Sequence, residues 1–247
     1  MSYIDKIFNI QDKIIVVTGA SSGIGAEIAK AFCLAGANVL SCARSPSPND
    51  DFLKNCYTSC DITDSNKFSS ICENLYKRYG KIDVLINAAG ISKNIDEKNI
   101  NSGFVETIST NLIGTYNCIN IASEYMTKGG SIINITSIGA HVGFPNNPSY
   151  IASKFGLSGL SKALAIDLAK KNIRVNNIAP GYIKTKMTIK SYNEPLQKKI
   201  RTNRTILNRW GNPNDLIGAA IFLASDSSNY ITGTDIIIDG GWLAKGL

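Results

Sequence analysis

The chain has 247 residues, of which 44% are hydrophobic and 18% charged, a balance that predicts a globular protein and excludes a disordered one. It contains no run of about 18 apolar residues, and its start, with Asp5 and Lys6, lacks the apolar stretch of a signal peptide. The net charge of +7 comes without a basic stripe interleaved with aromatic residues, so we expect a cytoplasmic protein with no nucleic-acid or membrane partner.

Short apolar runs alternate along the chain with segments of helical periodicity. The apolar runs predict strands at 14–17, 39–40, 82–86, 132–135, 173–178 and 236–238. The periodic segments predict helices at 24–34, 68–79, 151–168 and 216–224. Strands that are apolar on both faces and alternate with helices are typical of a parallel sheet covered on both sides. The predicted fold is therefore α/β, a single doubly wound, Rossmann-type domain over residues 1–247.

The six cysteines and the single histidine, His141, indicate neither a metal site nor a disulfide framework. No two cysteines form a C-x-x-C pair, and one histidine leaves too few ligands for zinc. A Ser-His-Asp hydrolase would have to depend on His141 alone. We therefore expect reduced thiols and no metal.

A glycine-rich turn follows the first predicted strand, with the sequence Thr18-Gly19-Ala20-Ser21-Ser22-Gly23-Ile24-Gly25. Glycines let the backbone approach a pyrophosphate, and the N-terminus of the next helix supplies free N–H groups and a positive dipole end. Since the turn joins an apolar strand to a periodic helix, we interpret it as a dinucleotide-binding turn. Its candidate cofactor contacts are Gly19, Ser21, Ser22, Gly23, Ile24 and Gly25.

The pattern T-G-x-x-x-G-x-G resembles that of the short-chain dehydrogenase/reductase family, and further motifs of that family follow in order. Its motif after the fourth strand resembles Asn87-Ala88-Ala89-Gly90, and its later P-G turn resembles Pro180-Gly181. Its four catalytic positions correspond to Asn111, Ser137, Tyr150 and Lys154. The resemblance covers essentially the whole chain and implies a homotetrameric oxidoreductase that reversibly reduces a carbonyl to a secondary alcohol.

The candidate catalytic residues suit that chemistry. Tyr150 and Lys154 are four positions apart, so both lie on one face of a predicted helix. A nearby ammonium would lower the pKa of the phenol and let Tyr150 act as acid and base, while Ser137 would bind the substrate oxygen. The resemblance implies that Asn111 holds a water beside Lys154 in a proton relay. A non-catalytic cofactor-binding scaffold is an alternative, but it would not need all four residues.

The end of the second predicted strand bears on the choice of cofactor. Members of the family that use NAD typically carry an acidic residue where this chain has Ala43, and Arg44 follows. A guanidinium is a forked, permanently charged donor that suits a 2′-phosphate, so we predict NADP(H) ahead of NAD(H). Further candidate cofactor contacts are Ser45, Asp61, Ile62, Asn87, Ala88, Ala89, Gly90, Tyr150, Lys154, Pro180, Gly181, Ile183 and Thr185. The stretch 44–55 is too short for the helix that the family usually has there.

A basic segment, 184–210, corresponds to the substrate lid of the family. It carries eight Lys and Arg residues against Glu194 as its one acidic residue, and some of these charges would attract an anionic substrate while others are merely solvated. The candidate substrate contacts are His141, Phe144, Tyr182 and Trp210.

Two kinds of family member compete as the nearest resemblance. The run Arg209-Trp210-Gly211-Asn212-Pro213 is similar to gluconate 5-dehydrogenase-like members, which act on keto-sugar acids. The general frame, with Tyr230-Ile231-Thr232-Gly233, is equally similar to 3-oxoacyl-(acyl-carrier-protein) reductases. Those usually dock the carrier with arginines where this chain has Lys128 and Lys171, and a lysine lacks the bidentate fork. We therefore predict a small polar or anionic substrate such as a keto-sugar acid.

Overall fold

The computed structural model describes residues 2–93 and 100–245. Within these ranges seven parallel strands form one sheet with the order β3-β2-β1-β4-β5-β6-β7. The strands are β1 (Ile14–Thr18), β2 (Asn38–Ala43), β3 (Tyr57–Ser59), β4 (Val84–Asn87), β5 (Gly130–Ile135), β6 (Ile173–Pro180) and β7 (Asp235–Ile238). The predicted doubly wound α/β fold is confirmed.

Helices flank the sheet, and the described ranges contain nine α-helices. They are α1 (Tyr3–Ile7), α2 (Gly23–Leu34), α3 (Ser65–Tyr79), α4 (Ile100–Ile108), α5 (Thr115–Tyr125), α6 (Pro148–Leu168), α7 (Ile189–Asn193), α8 (Pro195–Arg204) and α9 (Ile217–Ala224). A π-helical segment, Ser109–Gly114, joins α4 to α5. None of the helices in the described ranges has the length and apolar character needed to cross a membrane.

The apolar strands separate two cores, one on each face of the sheet. Along β1, Ile14 and Val16 pack into the core that contains Phe68 of α3. Ile15 and Val17 point to the opposite face, into the core that contains Phe32 of α2. Successive side chains of a strand point to opposite faces, so both cores require apolar residues and the strand reads as a continuous apolar run.

The strand β3, at one edge of the sheet, has no apolar run and was not predicted from the sequence. Its residues Tyr57–Ser59 pair only with β2 and are half-buried. An edge strand with one neighbour does not need the apolar run by which the other strands were predicted. Between β2 and β3 the chain forms only a short 3₁₀ helix, Asp51–Cys56, as the shortness of this connection predicts. The prediction for 216–224 was partly wrong, since its first residue belongs to a 3₁₀ turn, Pro213–Leu216.

All seven strands point the same way, so their carboxyl ends lie along one edge of the sheet. The chain leaves β1 at Thr18, β4 at Asn87 and β5 at Ile135, and these three strands are adjacent. Ligands of open α/β sheets bind outside this carboxyl edge, where the strand order reverses. The fold therefore brings together the glycine turn after β1 and the polar residues after β4 and β5.

Truncating a side chain of either core should lower the free energy of unfolding more than truncating a surface side chain. Phe32 is fully buried, so Phe32→Ala should lower the free energy of unfolding by about 3–5 kcal/mol through lost transfer energy and a cavity. Phe52, which is 45% exposed, serves as the matched control, and Phe52→Ala should cost less than half as much. Urea unfolding followed by circular dichroism measures both. Equal losses would contradict this assignment of the core.

Candidate active site

A groove runs along the carboxyl edge of the sheet and collects almost all of the predicted cofactor contacts. Its wall contains Gly19, Ser21, Ser22, Gly23, Ile24, Gly25, Arg44, Ser45, Asp61, Ile62, Ala88, Ala89, Gly90, Tyr150, Lys154, Pro180, Gly181, Ile183 and Thr185. Ser137 also lines it. Residues far apart in the sequence meet here because each follows the end of a neighbouring strand.

The glycine turn lies against the end of β4 at a distance that excludes side chains. Gly19 has a φ of +70°, and a Cβ there would lie 2.4 Å from the nitrogen of Ala89. A Cβ on Gly25 would lie 2.6 Å from the carbonyl oxygen of Gly19. Ser22 precedes α2 but makes no side-chain capping bond, so the first N–H groups of the helix are open to an anion. The turn therefore fits the pyrophosphate of a dinucleotide.

The segment after β6 closes over the glycine turn from the opposite side. A Cβ on Gly23 would lie 3.4 Å from the methyl carbon of Thr185. The backbone N–H of Thr185 donates to the Thr188 hydroxyl at 3.0 Å, and that hydroxyl donates to the Ile183 carbonyl at 2.6 Å. These bonds hold a tight turn, so Thr185 is fixed opposite the N-terminus of α2.

Arg44 lies half-exposed at the β2 end of the groove, next to two carboxylates. Its guanidinium nitrogens are 3.9 Å from Asp61 and 3.9 Å from Glu106, and Lys93 also pairs with Glu106. Both distances are longer than a hydrogen bond, so the N–H donors of Arg44 are not saturated by Asp61 and Glu106. The Tyr57 hydroxyl donates to the Ser45 carbonyl at 2.7 Å and fixes the loop that carries Arg44. This end of the groove suits an anionic group.

Tyr150 and Lys154 project from the first turns of α6 into the groove, as their spacing predicts. Lys154 is 5% exposed, donates to the Ile135 carbonyl at 2.7 Å and lies 5.6 Å from the centre of the Tyr150 ring. Burial lowers the pKa of the Lys154 ammonium to about 8. Burial also raises the pKa of the Tyr150 phenol, which the Ser137 hydroxyl offsets in part. The net shift of the Tyr150 pKa is upward because burial outweighs the Ser137 hydrogen bond, and the lowering by Lys154 stays a prediction.

Ser137 follows β5 and caps a short 3₁₀ helix, Ile138–Ala140. Its hydroxyl oxygen accepts a hydrogen bond from the Gly139 N–H at 2.9 Å, and the residue is 8% exposed. Because the oxygen acts as acceptor in this bond, the hydroxyl proton is available to donate to a ligand in the groove.

Asn111 lies in the π-helical segment, where its side chain connects the loop after β4 to α6. It accepts from the Ile91 N–H at 2.8 Å and donates to the Ile91 carbonyl at 2.9 Å and to the Ser153 hydroxyl at 3.1 Å. A Cβ on Gly90 would lie 3.4 Å from its oxygen and 3.7 Å from the Lys154 nitrogen. Asn111 is thus near Lys154, but its side-chain groups are bonded to protein rather than turned toward the groove.

Asn87, a predicted cofactor contact, does not reach the groove wall. It is 2% exposed and donates to the Asn134 side chain at 2.9 Å, which joins β4 to β5 beneath the groove. The sequence motif did not distinguish a residue that supports the wall from residues that form it. Conversely, sequence reasoning missed wall residues that lie beside the predicted ones, namely Cys60, Ile91, Thr110, Ile135, Thr136, Lys186, Met187 and Thr188.

Three of the four candidate substrate residues belong to an aromatic cluster beside Ser137. We define this aromatic cluster as Phe144, Tyr182, Tyr192, Trp210 and Trp242, whose neighbouring ring centres lie 5.3–6.1 Å apart. A Cβ on Gly139 would lie 3.3 Å from the Ser137 hydroxyl and 3.4 Å from the Phe144 ring. His141 instead is exposed at the end of the 3₁₀ helix. Trp242 and Tyr192 were not predicted, since only the fold brings them to this place.

Among the described residues, no group of three His, Cys, Asp or Glu side chains is arranged to hold a metal ion. The six cysteines are free thiols. The groove is lined by hydroxyls, backbone donors, the Cys60 thiol, the Asp61 carboxylate and the cationic side chains of Arg44, Lys154 and Lys186.

Comparison with known proteins gives consistent similarities over nearly the whole chain. A family model described as enoyl-(acyl carrier protein) reductase matches residues 19–243. The 3-oxoacyl-(acyl-carrier-protein) reductase FabG of Thermotoga maritima is 36% identical over an alignment of 247 positions that covers 94% of this chain and 98% of that one. The 2-dehydro-3-deoxy-D-gluconate 5-dehydrogenase of Dickeya dadantii is 33% identical, covering 96% of this chain and 98% of that one. A gluconate 5-dehydrogenase from Burkholderia cenocepacia, crystallised with NADP and tartrate, has a TM-score of 0.91 at 26% identity, covering 99% of this chain and 100% of that one.

Proposed function

Because the chain belongs to the short-chain dehydrogenase/reductase family, and is thus an NAD(P)-dependent oxidoreductase acting on CH–OH groups, we propose that it reversibly reduces the carbonyl of a keto-sugar acid to a secondary alcohol with NADP(H). The observation that carries this proposal is that Ser137, Tyr150 and Lys154 line one groove with the glycine turn. The acid–base groups and the dinucleotide cradle therefore face the same space.

When bound, the nicotinamide cofactor supplies or accepts the hydride, and the protein supplies the proton, the orientation and the contact to the substrate oxygen. Tyr150 acts as the acid in reduction, since burial raises its pKa and keeps the phenol protonated at neutral pH. Ser137 donates its hydroxyl proton to the substrate oxygen, because its own oxygen accepts from Gly139.

Lys154 lies beside Tyr150 and supplies positive charge to the buried end of the groove. Its ammonium is oriented by the Ile135 carbonyl at 2.7 Å, with two further donors left for the cofactor ribose or the Tyr150 phenol. Asn111 positions this assembly by tying the loop after β4 to Ser153, one residue before Lys154. A proton relay to solvent would then begin at Lys154 rather than at the Asn111 side chain.

The preference for NADP(H) over NAD(H) rests on Arg44. Ala43 stands before it in the groove wall, so no carboxylate occupies that position to accept from ribose hydroxyls. The Arg44 donors are not saturated by Asp61 and Glu106, each 3.9 Å away, and they can bind a 2′-phosphate. Ser22 and Ser45 line the same end and add hydroxyl donors.

The segment 184–210 is the proposed lid over the substrate, and its charge favours an anionic one. A competing function, 3-oxoacyl-(acyl-carrier-protein) reduction, is favoured by the 36% identity to FabG of Thermotoga maritima. Lys128 and Lys171, where carrier-docking arginines are usual in such reductases, are both exposed, so they keep a positive charge without the bidentate fork. The keto-sugar acid therefore remains the better match.

We also propose that the chain forms a homo-oligomer. On α6, which has nine buried residues, Phe155 and Ile166 are 47% and 77% exposed. Large apolar side chains exposed on one helix are suited to burial against another copy of the chain.

Replacing the acid tests the chemistry directly. Tyr150→Phe should lower kcat about 100-fold or more, because general acid–base catalysis is lost while the ring is kept. NADPH binding should be unchanged. The assay is NADPH oxidation with 5-keto-D-gluconate, a neutral ketose and a 3-oxoacyl thioester, and Tyr230→Phe, at a fully exposed tyrosine, is the control. Full turnover by Tyr150→Phe would refute the mechanism, and a clear preference for the thioester would replace the keto-sugar acid by the competing substrate.

Removing the Arg44 guanidinium tests the cofactor choice. Arg44→Ala should weaken NADPH binding about 10-fold or more and NADH binding less than about 2-fold, because only NADPH has the phosphate that forms a charge-assisted hydrogen bond. Equilibrium titration of both cofactors measures the difference. Arg78→Ala, which removes the same charge from an exposed site on α3, should change neither affinity. Equal losses for the two cofactors would show that Arg44 does not select NADPH.

The pH dependence of reduction should follow Lys154. An amine with a pKa of about 8 is charged below that pH and neutral above it, so kcat/KM for reduction should fall as the pH rises through about 8. Tyr150 does not cause this fall, because its raised pKa keeps it protonated there. In Lys154→Arg the charge persists, so the residual activity should lose the fall near pH 8. An unchanged profile in that variant would assign the titration to another group.

A further inference from the structure

The end of α8 carries two arginines whose charges are not neutralised by carboxylates. In the described ranges, no Asp or Glu lies within 4.0 Å of Arg201 or Arg204. Arg209, five residues further on, is different, since it forms two hydrogen bonds with Asp215 at 2.7 and 2.9 Å. Arg201 and Arg204 are therefore not neutralised by carboxylates of the described residues, whereas Arg209 forms an ion pair within the fold.

Both arginines lie over rings of the aromatic cluster. The guanidinium carbon of Arg201 is 4.5 Å from the centre of the Tyr182 ring, and that of Arg204 is 4.1 Å from the Trp242 ring. A guanidinium carries five N–H donors, and contact with the face of a ring does not by itself consume them. Those groups form a planar fork, the arrangement that binds a carboxylate in bidentate fashion.

The chain that follows the arginines is anchored to the fold, and the aromatic cluster beneath them lies beside Ser137. The chain just after α8 is anchored to the segment after β7, where the Leu207 N–H donates to the Gly240 carbonyl at 3.1 Å. Tyr182, on which Arg201 stacks, is close enough to Tyr150 to contribute to the raised pKa of that phenol, after burial itself. Phe144 connects the cluster to Ser137 on the other side.

A third group in the cluster also lacks a partner. Trp242 is 7% exposed, and its indole nitrogen is buried without a hydrogen-bond acceptor among the described residues. Buried donors are normally paired, so an unpaired one next to a cation indicates an acceptor that is not part of this chain. This observation is independent of the two arginines and indicates the same kind of ligand.

We propose that Arg201 and Arg204, with the Trp242 indole N–H, bind the carboxylate of the substrate and thereby select keto-sugar acids over neutral ketoses. This inference rests on the proposed function, because it assigns the far end of a substrate whose carbonyl lies at Ser137 and Tyr150. The aromatic rings pre-orient the two guanidinium groups, so less side-chain freedom is lost on binding.

Binding can be measured without turnover, because the two tryptophans of the chain, Trp210 and Trp242, both belong to the aromatic cluster. In the presence of NADP⁺, D-gluconate should change the tryptophan fluorescence saturably, and neutral D-glucitol should bind at least 10-fold more weakly. Arg201→Gln and Arg204→Gln should each weaken gluconate binding at least 10-fold. Lys199→Gln removes one charge from an exposed position of the same helix and should change it less than 2-fold.

Steady-state kinetics with charged and neutral substrates distinguish this inference from the proposed function. Arg201→Gln should raise KM for 5-keto-D-gluconate at least 10-fold with little change in kcat, and should leave KM for fructose unchanged. Equal effects on both substrates, equal effects of Lys199→Gln, or no difference between gluconate and glucitol would overturn the inference while leaving carbonyl reduction intact. If gluconate binding depended on both arginines but no carbonyl were reduced, the proposed function would fail and the anion site would stand.

Discussion

The close approach of the β1 turn to the end of β4 is the constraint on which the groove depends. A side chain at Gly19 would enter the backbone at Ala89, so these two strand ends can meet only because the residue is a glycine with a positive φ. Their contact directs the open N-terminus of α2 into the groove. It also places Gly90 next to Asn111 and Lys154, whose side chains a Cβ at Gly90 would touch at 3.4 and 3.7 Å. The glycine turn and the proposed catalytic residues Ser137, Tyr150 and Lys154 therefore line one groove.

The proposed catalytic end of the groove is assembled by the β5–α6 unit, in which a backbone carbonyl holds a buried ammonium. Lys154 is almost fully buried, so its ammonium needs compensation, which the carbonyl at the end of β5 provides. The same burial lowers the pKa of Lys154 and raises that of Tyr150, so one environment adjusts both groups. Opposite them, the basic segment meets an aromatic cluster in which cations are stacked on rings instead of paired with carboxylates. The proposed catalytic groups and the proposed site for the substrate carboxylate therefore belong to neighbouring parts of the fold, linked through Phe144 and Ser137.

The sequence was sufficient to predict features whose pattern lies within a single strand or a single helix turn. The buried strands were predictable because both of their faces are apolar, whereas β3 was not, since an edge strand with half-buried residues gives no such run. The π-helical segment that holds Asn111 has no local sequence signature in this chain, because its shape is fixed by contacts to Ile91 and Ser153. Asn87 was predicted as a contact from its motif, but its side chain bridges two strands below the groove.

The sequence by itself determined the doubly wound fold, the glycine turn and the pairing of Tyr150 with Lys154 on one helix face. The fold and the Tyr150–Lys154 pair follow from the fixed periods of strand and helix, and the turn follows from the missing side chains of its glycines. A short stretch of sequence shows each of these features. Only the tertiary structure decided how Arg44 lies between Asp61 and Glu106, which way burial shifts the pKa of Tyr150, and that Arg201 and Arg204 stack on Tyr182 and Trp242. Those features join segments that are distant in the chain, and desolvation and charge depend on every group that the fold brings within a few ångströms.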